Sequence, residues 1–241
     1  MLKKLFAPRK KATEKETPKA THYDFVDWLQ YANAGMMMEG NIYSFEYAIN
    51  NLPSANPLIE IGSFCGLSTN FINFYLERKT AANLLFTSDK WEFENAGSGG
   101  SNIGGSHLSF DAYKEFVQSS FKRNLSFFSA NRLEKTFPIE LFSDEFFEEW
   151  NAASTLTDVF GKSAKLGGAI SFAYIDGNHT YPFAKRDFEN VDRWLEKGGF
   201  ILFDDSGDDS TWEVRRVISE IKAGNRYEVI INNPNYLLRK K

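Results

Sequence analysis

Residues 171–205 read SFAYIDGNHTYPFAKRDFENVDRWLEKGGFILFDD. An apolar run ends at Asp176, an amphipathic helix follows, Gly198-Gly199 turns the chain, and a second apolar run ends at Asp204-Asp205. Two neighbouring parallel strands joined in this way deliver three carboxylates to one edge of a sheet. Open α/β sheets take their ligands at that carboxyl edge. Carboxylates gathered there repel one another unless a cation or protons compensate. A divalent, oxygen-preferring metal is the natural occupant.

Outward from this unit the chain alternates strands and helices. Spaced aromatics between His22 and Leu52 predict helices, closed off by Pro53 and Pro57. Strands are expected at 58–61, 84–87, 139–142, 170–175 and 200–204, and helices at 67–78, 109–123, 144–152, 183–196 and 212–223. Residues 227–231 and 236–238, around Asn-Asn-Pro-Asn, read as a terminal hairpin. Residues 153–168 read as an irregular connection. This alternation implies a mostly parallel sheet with helices on both faces. The stretch 95–106 (NAGSGGSNIGGS) is a glycine-rich loop, either a lid or disordered.

Bulk composition sets limits. The chain has 241 residues, 42% hydrophobic and 25% charged, as in an ordinary globular protein. Residues 1–20 carry seven basic and two acidic side chains, a charge of +5, so the overall −4 leaves −9 on the remainder. An acidic body argues against nucleic acid as a partner. The basic segment reads as a flexible tail, with a contact to anionic lipid or protein as the sharper alternative. A single cysteine, Cys65, excludes an internal disulfide and points to a cytoplasmic setting. No apolar run is long enough for a transmembrane span. Residues 21–241 are expected to form one domain, with a helical cap at about 21–52.

Four motifs carry chemistry. In Glu60-Ile-Gly62-Ser63-Phe-Cys-Gly66-Leu-Ser68 a strand ends, two glycines bracket a turn and a helix begins. Gly62 would admit a ligand to the backbone, and the helix N-terminus favours an anion. This is not the three-glycine dinucleotide fingerprint. An acid at the strand end suits a smaller ligand bearing an ammonium group. Asp89 ends the next strand, where a carboxylate can accept from both ribose hydroxyls. Trp91 beside it either stacks on a base or packs in the core. In Asp176-Gly-Asn-His179, the imidazole can reach the acidic pocket and take a proton, or simply bond backbone at a helix start. Asp204-Asp205 close the set. Asp208 and Asp209 lie further out, and His22 and His107 have no comparable setting.

Together these motifs resemble the class I S-adenosylmethionine-dependent methyltransferases, in the branch of small metal-dependent O-methyltransferases that act on sugars and natural products. LIEIGSFCGLST is similar to their glycine-rich first motif, and IDGNHTYPFAKRDFENVDRWLEKGGFILFDD to their paired metal motifs. The resemblance covers roughly residues 35–240. It implies a Rossmann-like methyltransferase fold with a mostly parallel seven-stranded sheet and a C-terminal antiparallel hairpin. It also implies that Glu60, Gly62, Ser63, Gly66 and Ser68 hold the methionine part of S-adenosylmethionine, Asp89 the ribose, and Ser143 and Asp144 the adenine side. Asp176, Asp204 and Asp205 would hold Mg2+ or a similar divalent metal. His179 would be the base and Asp176 a further catalytic group. The acceptor would be a small-molecule hydroxyl, such as a sugar's; a homo-oligomer stays open. The rivals are a metal-dependent hydrolase on an α/β sheet and a non-catalytic binding protein of the same fold.

Overall fold

A computed structural model describes residues 18–93 and 102–241. In chain order the elements are α1 Asp24–Ala32, α2 Glu39–Asn50, β1 Leu58–Ile61, α3 Leu67–Arg78, β2 Leu85–Ser88, α4 Phe110–Phe128, β3 Thr136–Ile139 and α5 Ser143–Asn151. Then come β4 Thr155–Thr157, β5 Ser163–Lys165, β6 Ile170–Ile175, α6 Tyr181–Trp194, β7 Leu195–Phe203, α7 Val214–Ala223, β8 Tyr227–Asn232 and β9 Tyr236–Lys240. Among the described residues no helix is long and apolar enough to cross a membrane. Residues 1–17 of the basic segment and 95–101 of the glycine-rich loop lie outside the described residues; Ile103–Gly105 form one short helical turn.

Seven strands make one sheet in the order β3-β2-β1-β6-β7-β9-β8. The first five pair in parallel, while β9 is antiparallel to both β7 and β8. The fold is thus the Rossmann-like α/β arrangement with its antiparallel hairpin at one end. From β1 the chain steps outward to β2 and β3, then returns to β6 on the other side of β1. Strand order therefore reverses between β1 and β6, and a crevice opens at such a switch point.

Alternating side chains feed two cores. Ile59, Ile61, Ala173, Ile175, Ile201 and Phe203 join the core under α5, α6 and α7. Leu58, Phe172, Tyr174, Phe200 and Leu202 face the other way, into the core under α1, α2 and α3. Strand β6 is buried along its whole length, which explains its unbroken apolar run.

Three expectations need correction. Strand β3 sits at 136–139, not 139–142: it is the sheet's edge, where Pro138 is tolerated. Residues 153–168 hold the β4–β5 hairpin, whose residues are mostly exposed and carry no apolar alternation. Helix α6 begins at Tyr181 because Pro182 suits a first turn, and strand β7 begins at Leu195.

Gly62 has a reason beyond ligand access. Its φ is +80°, and an added Cβ would lie 2.0 Å from the Asp176 carbonyl oxygen. The fold itself fills the space next to this glycine. Gly161 has nearly the same φ, +83°, and none of the described residues comes within 4 Å of its Cβ position. Gly161→Ala should therefore cost about 1–2 kcal/mol, the penalty of the left-handed conformation alone. Gly62→Ala should cost a further ~1–3 kcal/mol for overpacking against backbone. Denaturant midpoints of the two variants check this, and equal losses would refute the steric account.

Candidate active site

The loop from Gly62 to Gly66 coils tightly after β1. The backbone N–H groups of Ser63 and Phe64 both donate to Asp89 Oδ2 at 2.8 Å, and that of Trp91 donates to Oδ1 at 2.6 Å. Burial raises the Asp89 carboxyl above the usual range, against the pull of these bonds. The Ser63 hydroxyl adds a fourth, longer contact to Oδ2 at 3.5 Å, so the loop after β1 is tied to the carboxylate expected to meet the ribose. Trp91 is core: it packs on Phe121 at 5.2 Å, and its indole N–H donates to the Phe64 carbonyl.

Glu60 is fully buried on the α3 side of β1. Thr69 donates to its Oε2 at 2.5 Å, and Ser68 adds a second bond. Among the described residues its Oε1 has no hydrogen-bond partner. Burial pushes this carboxyl up to about 7. A buried acid with one orphaned oxygen beside a ligand crevice fits a ligand ammonium. Ser143 and Asp144, by contrast, turn to α6. Ser143 bonds Asp187, while Asp144 pairs with Arg186 at 2.8 Å and accepts from Asn190. The structure does not bring these two side chains to the crevice.

Across the switch point, β6 and β7 deliver the acids. Asp176 Oδ1 lies 3.3 Å from His179 Nε2, and His179 Nδ1 lies 3.0 Å from Asp205 Oδ2. Among the described residues Asp176, His179 and Asp204 form a cluster whose ligand atoms all lie within 4.8 Å of one another. Asp205 stands behind the imidazole, not in that cluster, and its backbone is left-handed at φ +48°. The cluster shares Asp176 and Asp204 with the expected ligand set of Asp176, Asp204 and Asp205, and takes in His179 where Asp205 was expected. Burial raises the Asp176 and Asp204 carboxyls above the usual range, and a neighbouring acid pushes each further. Burial pulls the His179 imidazole down, but the surrounding carboxylates outweigh it and hold it above its ordinary value. Two carboxylates with surplus negative charge around them, and an imidazole beside them, fit a divalent, oxygen-preferring cation.

Side chains that the motifs did not reveal complete the pocket. Asn41 of α2 donates to Asp204 Oδ1 at 2.5 Å, and Asn235, from the β8–β9 turn, donates to the same oxygen at 2.9 Å. Asn235 also donates to Asn41 Oδ1 at 3.0 Å. The Tyr174 hydroxyl donates to Asp176 Oδ2 at 3.1 Å. The Trp212 ring packs edge-on against His179, with centroids 5.3 Å apart. The one clue to Asn41 was an amide on the buried face of α2, beside Ile42, Phe45, Ala48 and Ile49. Asn235 was concealed in a segment that reads as turn chemistry.

The buried acid Glu60 makes stability depend on pH. Folded protein keeps a proton on Glu60 that the unfolded chain loses between pH 4.5 and about 7. Stability therefore falls as pH rises through that window and stays lower above it. The shift corresponds to about 3 kcal/mol. Glu60→Gln should remove this part of the slope, so denaturation of both proteins at pH 5 and pH 8 is the measurement. An identical pH slope in the two would refute it.

A family model described as a methyltransferase domain matches residues 59–206, from β1 to just past Asp205. Among solved structures, the O-methyltransferase from Bacillus cereus in complex with SAH has a TM-score of 0.58 at 13% identity, covering 92% of each chain. The O-methyltransferase TomG from Streptomyces achromogenes, involved in tomaymycin synthesis and solved with SAM, has a TM-score of 0.54 at 12% identity, covering 92% of this chain and 91% of that one. The calicheamicin methyltransferase CalS11 has a TM-score of 0.53 at 14% identity, covering 83% and 78%. At such identities the likeness is one of fold. An uncharacterized protein, R132, of Acanthamoeba polyphaga mimivirus is 34% identical over 80 residues, spanning 29% of this chain and 36% of that protein. The family match spans most of the chain and takes in both the glycine turn and all the clustered acids, so this protein belongs to the methyltransferase-domain family and has the class I S-adenosylmethionine-dependent methyltransferase fold.

Proposed function

We propose that this chain moves a methyl group from S-adenosylmethionine to a hydroxyl of a sugar or similar small molecule, assisted by a divalent cation such as Mg2+. The observation that carries the reading is the cluster of Asp176, His179 and Asp204 at the switch point, across β1 and β6 from the Gly62–Ser68 turn. When bound, S-adenosylmethionine supplies an electrophilic methyl, and the cation lowers the pKa of the acceptor hydroxyl and fixes its position.

The chain's own residues do the rest. Glu60 Oε1 takes the ammonium of the methionine part, and the Gly62–Ser68 turn, with Ser63, Gly66 and Ser68, cradles that end of the molecule. Asp89 accepts from the ribose. The carboxylates of Asp176 and Asp204 hold the cation, with Asn41 and Asn235 fixing the Asp204 oxygen they share. Asp205 Oδ2, 3.0 Å from His179 Nδ1, holds the imidazole from behind while Nε2 faces Asp176, and the ring takes the acceptor proton.

Calorimetry with S-adenosylhomocysteine tests the cofactor cradle. Binding should tighten as pH rises through about 7, where Glu60 ionises, and Glu60→Gln should weaken it and flatten that dependence. No binding at any pH would sink the methyltransferase reading.

Manganese binding followed by electron paramagnetic resonance, alongside transfer of labelled methyl to a panel of hydroxylated acceptors, tests the rest. Asp176→Asn and Asp204→Asn should weaken manganese binding and transfer together while leaving the cofactor bound. His179→Ala should lower transfer by about 10²–10⁴-fold with manganese affinity near wild type, as a base rather than a ligand. Loss of manganese affinity in His179→Ala would make the imidazole the third ligand instead. Unchanged transfer after chelation would remove the cation from the mechanism.

A further inference from the structure

The loop after β7, the exposed flank of α7 and Tyr236 line an open cavity of about 430 Å³. Its wall begins at Ser206 and Asp208, in the same loop as Asp204 and Asp205. Helix α7 contributes Arg215, Ser219 and Lys222, which fall on one stripe at helical spacing, and Arg216 adjoins them. The Arg216 guanidinium lies 3.7 Å over the Tyr181 ring, two residues past His179, and 3.7 Å from Glu220. The loop after β7 thus runs from the acidic cluster into this wall, and the loop carrying His179 touches it only through the Tyr181–Arg216 contact.

The lining is cationic. Arg215, Arg216 and Lys222 against Asp208 leave a charge of +2. Lys222 donates to the Tyr236 hydroxyl at 2.9 Å, and that hydroxyl donates to Asp208 at 2.6 Å, so the one acid is already held. Arg215 forms no side-chain ion pair among the described residues. A guanidinium presents five donors in a planar fork suited to a phosphate, and a phosphate monoester carries a charge of about −1.5 to −2 at neutral pH.

We propose that this cavity binds a phosphate or diphosphate group, so that the methyl acceptor is a phosphorylated or nucleotide-linked hydroxyl compound. The site is separate from the acids, whose charge would repel such an anion, and lies one loop away from them. The proposal deepens the methyl-transfer reading and rests on it for the identity of the ligand as acceptor.

The probe is inorganic pyrophosphate, titrated calorimetrically into metal-stripped protein so that binding through a cation is excluded. Wild type should bind it. Arg215→Glu should weaken that binding at least tenfold, and Lys222→Gln should weaken it too, while S-adenosylhomocysteine affinity stays within about twofold. Phosphorylated and unphosphorylated forms of one sugar, titrated in parallel, separate an acceptor site from one for free phosphate: the phosphorylated form should bind and lose its affinity in Arg215→Glu. Absence of pyrophosphate binding, or binding unchanged in Arg215→Glu, would overturn the cavity as an anion site. Pyrophosphate binding without any affinity for the sugar phosphate would overturn the acceptor assignment. Failure of the methyl-transfer reading shows up elsewhere, as lost S-adenosylhomocysteine binding, so the two are told apart.

Discussion

The register of the parallel strands is the constraint on which the rest depends. Ile61 lies level with Ser88 on one side and Ile175 on the other, and Ile175 lies level with Phe203. The ladder then runs one step past the strand ends: Gly62 donates to the Ser88 carbonyl, Asp176 to Ile61, and Asp204 to Ile175. The glycine turn and two acids therefore share one row across the sheet. A slip of one residue would turn the core side chains of the displaced strand to the opposite face and remove its acid from the row. Burial of β6 on both faces makes such a slip costly, so the hydrophobic cores fix the chemistry's coordinates.

The row is then clamped from outside the parallel strands. Asp204 is nearly buried, and its Oδ1 is shared between an amide from α2 and one from the β8–β9 turn. These two clamps touch each other. Asn235 bonds Asn41, and a Cβ on Gly40 would fall 1.6 Å from the Asn233 carbonyl oxygen. Charge-assisted bonds of this kind are among the stronger ones, and they hold a carboxylate in place while leaving its second oxygen for other partners.

Much of this was legible in the sequence where a local pattern reports a local fact. The apolar runs ending in acids located β6 and β7, the helical spacing located α3 and α6, and Asn-Asn-Pro-Asn located the terminal hairpin. The order of those elements led to the fold. Legibility stopped where a fact depended on distant partners. Asn41 and Asp204 are 163 residues apart, so no period links them. Pro138 reads as a breaker until β3 is known to be an edge. Gly62 reads as a place for a ligand, and its second reason, the Asp176 carbonyl packed against it, has no trace in the local pattern. Asp204 and Asp205 look equivalent in sequence, yet the left-handed turn at Asp205 sends its carboxylate behind His179.

The placement of β9 has a consequence for how the site comes into being. This strand follows β8 in the chain but lies between β7 and β8 in the sheet. During vectorial synthesis β8 emerges first and has no neighbour to pair with until β9 arrives to bridge it to β7. The same event brings Asn235 to Asp204. Assembly of the acidic pocket is thereby tied to one of the last docking steps of the fold, and a nascent chain with all its parallel strands in place would still hold an Asp204 clamped by Asn41 alone.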